Sequence, residues 1–352
     1  MLAESEFSDL NARAQLVLNG LVRHYIEEGA PVGSRTLAKH EDLSLSSASI
    51  RNVMADLEDY GLIQAPHTSA GRIPTAKGYR FFINGLLKAG TLDAQTVERM
   101  SNRFQGISDP NTILNGATEM LSQITSFAGI VSIPDQKRAH IRQIEFLKLS
   151  EQRVLAILVT EDGQVQNKVL GAHREYSDSE LVEAANFFNT EYSSKSMDGV
   201  RAQLVAHMKS DRNTMHREMR TAVNMAGQFF DGDSTAENVL VSGEHNLLSI
   251  PDFHELDKLK SLFDTFKTKQ VLFDLLQKSM FADGVNIFIG EESGYAPFRD
   301  CSVIAAPYEI DNQRVGVLGV IGPTRMQYEE VISAVDVTAR ILGSALSTHP
   351  PQ

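Results

Sequence analysis

Glycine and proline cut the first 90 residues into pieces too short to stand alone. Gly29, Pro31, Gly33, Gly61, Gly71, Pro74 and Gly78 fall between apolar stripes. Helices this short are marginal in water, so these pieces must pack on one another. The first stripe is Leu18, Leu21, Val22, Tyr25 and Ile26, at i, i+3, i+4, i+7 and i+8. That spacing predicts one face of an amphipathic helix over 11–28. Gly29 follows where a left-handed cap is expected. Pro31-Val32-Gly33 marks a turn, and Ser34 is a suitable N-cap for a short helix over 35–40 with Leu37 and Ala38 on its apolar face. A serine-rich run, 44–49, precedes a third helix with the stripe Ile50, Val53, Met54 and Leu57, ended by Gly61. This order predicts a helix-turn-helix.

With that stripe inward, the third helix presents Ala48, Asn52, Ala55 and Asp59, flanked by Ser49 and Arg51. Its N-terminal half is small and uncharged apart from Arg51. A helix entering a major groove about 12 Å wide needs such a surface. Asn52 suits adenine and Arg51 suits guanine by donor and acceptor geometry. A plain solvated face would have the same composition, since three-helix units are common in all-α proteins. The next segment favours the first reading. Leu62-Ile63-Gln64 reads as a short strand, and His67-Thr68-Ser69-Ala70-Gly71-Arg72-Ile73-Pro74-Thr75 as a polar hairpin, or wing. A positive φ at Gly71 would expose Arg72 at the tip, toward phosphate or a narrow minor groove. Lys77, Tyr79 and Arg80 open a helix through Phe81, Phe82, Ile83 and Leu86. The candidate DNA contacts are therefore Ser34, Arg35, Ser47, Ser49, Arg51, Asn52, Thr68, Ser69, Arg72, Thr75, Lys77, Tyr79 and Arg80. For Lys77 and Arg80, a solvated helix face is the competing reading.

Charge tests this reading. The 352 residues carry 33 Lys and Arg against 45 Asp and Glu, a net charge of −12. Taken whole, that argues against binding a phosphate backbone. Taken by position, it does not. Residues 1–90 hold 9 basic and 10 acidic residues, and 61–90 hold Arg72, Lys77, Arg80 and Lys88 with no acid. The acidity belongs to the later part of the chain.

That part reads as α+β. Strands are expected over 144–149, 154–159, 165–170, 285–289, 301–306 and 315–321, with a final helix bearing Tyr328, Val331, Ile332, Val335 and Leu342 on one face. A mostly helical block interrupts the strands. It carries Leu204, Met208, Met215, Met219 and Met225, then Phe253, Leu256, Leu259, Leu262, Phe263, Phe266, Leu272, Leu275 and Leu276.

Little chemistry suggests itself, and no catalytic residue, metal site or cofactor is expected. Cys301 stands alone, which excludes an internal disulfide and points to a reducing compartment, the cytoplasm. It lies in an apolar strand and reads as a buried, inert thiol. Gly316, Gly319 and Gly322 are neither GxGxxG nor a P-loop, and mark a bulge or close packing instead. His245 and His254 lack metal spacing, and Asp231-Gly232-Asp233 lacks the remaining ligands of a calcium loop. Glu291-Glu292 and Glu329-Glu330 look like solvated charges. The N-terminus has no apolar signal core, and no run approaches the roughly 18 residues of a membrane span.

The segment 67–75 with Lys77-Gly78-Tyr79-Arg80, preceded by Ser49-Ile50-Arg51-Asn52, resembles the HrcA family of heat-inducible transcription repressors. Gly319-Val320-Ile321-Gly322-Pro323-Thr324-Arg325-Met326-Gln327-Tyr328 is similar to that family's second signature, and Asn246-Leu247-Leu248 to a shorter one. The resemblance implies a winged helix-turn-helix over 1–90 and a GAF-like sheet domain over 91–171 and 281–352. It implies an inserted dimerisation domain over about 172–280. It further implies a repressor of chaperone operons that binds the CIRCE inverted repeat as a homodimer and is kept active by the GroEL chaperonin. A two-fold dimer is also the usual way to gain specificity when one helix reads few base pairs. The alternative is a winged-helix regulator controlled by a small molecule in its GAF-like domain. An enzyme survives only if acids converge in an unseen cleft.

Overall fold

The computed structural model describes residues 10–39, 45–67, 70–86, 92–133, 140–161, 165–172, 174–197, 199–200, 203–204, 217–230, 238–253 and 255–348. The candidate contacts Thr68 and Ser69, together with Met208, Met215, Asp231-Gly232-Asp233 and His254, lie outside them. The fold is mixed α+β, and the chain divides into two compact units. The first comprises residues 1–105, 114–132 and 239–343. The second comprises 106–113, 133–238 and 344–352.

The chain begins with α1 (Ala12–Glu28), α2 (Ser34–Leu37) and α3 (Ser47–Asp59), then strands β1 (Ile63–Gln64) and β2 (Ile73–Pro74) and helix α4 (Ala76–Phe81), which runs into a π-helical turn, Phe82–Leu86. The expected stripes are buried, with Leu18, Leu21, Val22 and Ile26 on α1 and Ile50, Val53, Met54 and Leu57 on α3, while Tyr25 of the first stripe is half-buried. Gly29 ends α1 at φ 70°. The cap of α2 differs from expectation. Gly33 precedes the helix, and Ser34 is its first residue, buried with its hydroxyl 3.2 Å from that of Ser47.

The hairpin glycines serve backbone contact. Gly71 is not among the residues with positive φ. A Cβ there would lie 2.6 Å from the Val32 carbonyl, because residues 32 and 72 exchange two 2.8 Å backbone hydrogen bonds. A Cβ on Gly78 would lie 2.0 Å from the Leu62 oxygen.

Helices α5 (Ala94–Asn102) and α6 (Pro110–Thr125) lead into β3 (Ala128–Ser132). The second unit contributes β4 (Ile141–Ser150), β5 (Arg153–Thr160), β6 (Val165–Gly171), α7 (Asp178–Tyr192) and α8 (Arg217–Phe230). Then follow β7 (Val239–Ser242), α9 (Leu256–Thr268), α10 (Gln270–Ser279), β8 (Asn286–Ile289), β9 (Cys301–Ile310), β10 (Gln313–Pro323) and α11 (Tyr328–Thr348).

The strands do not share one sheet, which corrects the sequence reading. The sheet of the first unit runs β7-β3-β10-β9-β8, antiparallel throughout, while β4-β5-β6 form a separate antiparallel sheet. The expected boundary at 171/172 falls between β6 and α7, which close over one core. Ile144, Phe146, Ala156, Leu158 and Leu170 meet Leu181, Phe188 and Phe229 there. Strands 141–171 therefore belong with the helices after them, and α9 and α10 belong with the other sheet. Asn189 on α7 fixes the pairing in the second unit. Its amide accepts from the Ile144 N–H at 2.7 Å and donates to the Ile144 oxygen at 3.0 Å.

Burial explains the difference between the sheets. In the larger one, β3 is buried at every position and β9 and β10 nearly so. Leu262, Phe266, Leu272 and Leu276 cover one face with Ile130, Val303 and Ile321. On the other face, Gly129 meets the Thr118 backbone of α6 and Gly343 of α11 meets the Glu309 oxygen. Strands covered on both faces read as continuous apolar runs. The three glycines of β10 are where neighbours come closest. A Cβ would strike the Tyr308 ring from Gly316, the Ile304 oxygen from Gly319 and the Phe127 ring from Gly322, and β10 bulges between Arg314 and Gly316. The Tyr308 hydroxyl donates to the Ser132 carbonyl at 2.7 Å. No helix among the described residues is long and apolar enough to cross a membrane.

Gly78→Ala is expected to cost about 1–3 kcal/mol through the clash with Leu62, while Gly171→Ala, with open space at the Cβ position, stays near neutral. Urea unfolding of the two variants checks this. Cys301 is 2% exposed, and burial, then Asp300, push its thiol up to about 12. The folded value lies above the unfolded one. The neutral thiol's contribution to stability is therefore complete below about pH 9 and lost as pH rises toward about 12. At pH 8, iodoacetamide is expected to label Cys301 only after unfolding, which mass spectrometry of native and urea-treated protein can follow.

Candidate nucleic-acid interface

Helix α3 starts from a capped, exposed end. The Ser46 hydroxyl accepts from the Ser49 N–H at 3.1 Å and lies 3.0 Å from the Ser49 hydroxyl. With its stripe buried, α3 exposes Ala48, Arg51, Asn52, Ala55, Asp56 and Asp59, while Ser47 and Ser49 are half-buried. The N-terminal half of this face is small, with Arg51 as its charge. The acids lie toward the C-terminal end. Arg35 and Lys77 are also exposed.

Other sequence candidates are engaged within the protein. Arg72 does not stand at a tip. Its Nε donates to Glu58 Oε2 of α3 at 2.9 Å and its Nη2 lies 2.8 Å from the same oxygen. The Thr75 hydroxyl accepts from the Gly78 N–H at 3.1 Å, capping α4, and donates to the Gly61 oxygen at 2.7 Å. Tyr79 is 3% exposed, which removes it from any surface of this arrangement. Its ring lies 5.8 Å from that of Tyr328, and its hydroxyl is buried with no hydrogen-bond partner among the described residues. Burial raises its pKa above the ordinary phenol value. Arg80 donates from Nη2 to the Ile287 oxygen at 2.6 Å and forks onto Glu292, Nε to Oε1 at 3.1 Å and Nη2 to Oε2.

Arg80 belongs to a set of contacts that fasten α1 and α4 to the larger sheet. Arg23 of α1 donates to Glu329 at 2.6 Å, its guanidinium 5.5 Å from the centre of the Phe82 ring. Arg325 forks onto Asp252 at 3.0 and 2.7 Å and donates to the Ile26 carbonyl in the last turn of α1 at 3.1 Å. Hydrogen bonding to Asp252 raises the Arg325 pKa. Sequence reasoning missed Arg23, Asp252 and Arg325, and Glu292 and Glu329 are not the solvated charges expected. Their partners are too far away along the chain for spacing to show. The position of Arg325 inside the second signature was the available signal. Ion pairs this exposed are worth about 0–1 kcal/mol each.

Among the described residues, no cluster of three or more His, Cys, Asp or Glu could hold a metal ion.

Comparison with known proteins gives this arrangement a context. A family profile described as "HrcA protein C terminal domain" matches residues 111–332. A Methylobacillus flagellatus protein named "Heat-inducible transcription repressor HrcA" is 46% identical over 341 residues, which is 97% of this chain and 99% of that one. A protein of the same name from Chromobacterium violaceum is 47% identical over 339 residues, covering 96% and 99%. A crystal structure described as that of a hypothetical protein at 2.2 Å resolution superposes with a TM-score of 0.60 at 25% identity, covering 97% of this chain and 99% of that one. These relatives place the chain among transcription repressors. It belongs to the HrcA family of heat-inducible transcription repressors.

Thr75→Ala is expected to lower stability by about 1 kcal/mol through loss of the α4 cap, and thermal unfolding tests this directly.

Proposed function

We propose that residues 10–86 form a winged helix-turn-helix in which α3 enters the major groove, and that the chain represses chaperone operons by binding the CIRCE inverted repeat as a dimer. The observation that carries this reading is the exposed N-terminal half of α3, with Arg51 and Asn52 among small residues opposite a fully used core stripe. Arg51 and Asn52 read base edges, while Arg35, Ser47, Ser49 and Lys77 position the helix on phosphates. Thr68 and Ser69 keep the role of wing contacts suggested by the sequence.

The larger sheet is read as the GAF-like body and the second unit as the dimerisation domain. One face of β4-β5-β6 supports the dimer. Leu147 pairs with Leu155 and Leu155 with Val169, and Leu147, Leu149, Val165 and Val169 are 46–60% exposed. An open apolar face of this kind favours burial against a partner. Modulation by GroEL rests on family membership alone, as does the cytoplasmic setting. Control by a small molecule has less support. The hollow beside Asp257, Lys260, Asp264 and Thr268 is shallow and furnished by a single helix.

Footprinting on a chaperone promoter, with and without GroEL, tests the reading. Arg51→Ala and Asn52→Ala are expected to weaken operator binding by about 1–3 kcal/mol each and to relax sequence preference. Lys77→Ala is expected to weaken binding to all duplexes and to flatten the salt slope by about 1. Unchanged affinity in all three variants would remove α3 from the groove.

A further inference from the structure

The acid-free stretch 61–90 is not free of acid in space. Two of its arginines are each held by a carboxylate from elsewhere: Arg72 by Glu58 of α3, and Arg80 by Glu292, which follows β8. The second pair spans the N-terminal region and the larger sheet. Its geometry is a fork in which Nε and Nη2 of Arg80 each meet one oxygen of Glu292. A guanidinium presents the same fork to a phosphate. Arg80 lies three residues after the exposed Lys77 on α4, so the two side chains share a helix face.

We propose that Glu292 is an internal phosphate surrogate: it occupies the Arg80 fork in the free protein and gives it up to the DNA backbone on binding. The contact is then autoinhibitory. It links the state of the sheet to the charge available beside the wing, because Glu292 also accepts from the Ile289 N–H at 2.9 Å and thereby reports the local geometry of β8. One observation favours exchange over permanent fixing. The pair is partly exposed, at 27% for Arg80 and 35% for Glu292, so solvent and phosphate can compete for it.

The inference rests on the DNA-binding reading, and one set of duplex titrations separates the two. Full-length protein is titrated by fluorescence anisotropy against an inverted-repeat duplex and a random duplex of equal length, across a salt series. Glu292→Gln is expected to tighten binding to both duplexes by about threefold to tenfold. The salt slope should steepen by about 0.9 for the regained phosphate contact. Gln keeps an oxygen for the Ile289 N–H, so the fold is retained, and thermal unfolding verifies it. In Glu292→Gln with Arg80→Gln the gain should vanish. If Glu292→Gln leaves affinity unchanged or lowers it, or if the gain survives removal of Arg80, the surrogate role is overturned. If the wild-type chain and the Arg51→Ala variant bind both duplexes equally weakly, the DNA-binding reading itself fails, and the surrogate role with it.

Discussion

Among the side chains that join the N-terminal region to the larger sheet, one acts on the end of a helix. Arg325 reaches from the end of β10 to the last turn of α1, where helix carbonyls lack intrahelical partners and carry partial negative charge. It donates to Ile26 there while forking onto Asp252. Gly29 makes the approach possible, because a Cβ at that position would lie 3.0 Å from the guanidinium carbon. Burial, then Asp252, raise the Tyr25 phenol, with Arg325 opposing. The position of α1 bears on that of α3, since the two helices pack on each other and Leu18, Leu21, Ile50 and Leu57 are fully buried. Where α3 points is thus decided partly by a residue more than 260 positions later in the chain.

What could be read in advance follows the range of the underlying forces. The stripes of α1 and α3 and the exposed face of α3 were legible because helix period is local. So was the hairpin, punctuated by Gly71 and Pro74. The reason for Gly71 was not legible, because the obstacle is the backbone of Val32 rather than its own φ. Arg72 and Arg80 looked like available cations because their carboxylates come from α3 and from residue 292. Thr75 looked like a phosphate ligand because the Gly61 oxygen reaches its hydroxyl only once the hairpin closes, while its local role as the cap of α4, accepting from the Gly78 N–H, was overlooked. For the two arginines local chemistry was read correctly and a distant partner claimed it.

The two sheets show a subtler limit. An apolar run says that a strand is covered, not by what. Alternation was the missed distinction. Glu145, Lys148 and Asn167 punctuate β4 and β6 with exposed polar positions, as a sheet with one open face requires, whereas Val303–Ala306 and Val317–Ile321 have none. Residues 91–140 gave no signal strong enough to be read. Yet β3 within them, the five-residue strand AGIVS, joins β7 to the central strand β10, and it is buried at every position and so without alternation to show.

The pairing of β3 with β7 has a consequence for how the chain reaches this structure. Ser132 and Val239 are direct partners, and just beyond them the Ile133 N–H donates to the Asn238 oxygen at 2.9 Å. Residues 133–238, the main part of the second unit, are therefore the loop of a hairpin. Closing a long flexible loop costs conformational entropy before any contact repays it, and the cost grows with the length left unordered. If residues 133–238 order first around their own core, their two ends emerge side by side and the effective loop shrinks to almost nothing. In that order the sheet closes last, with β3 and β7 brought to each other by the segment that separates them in sequence.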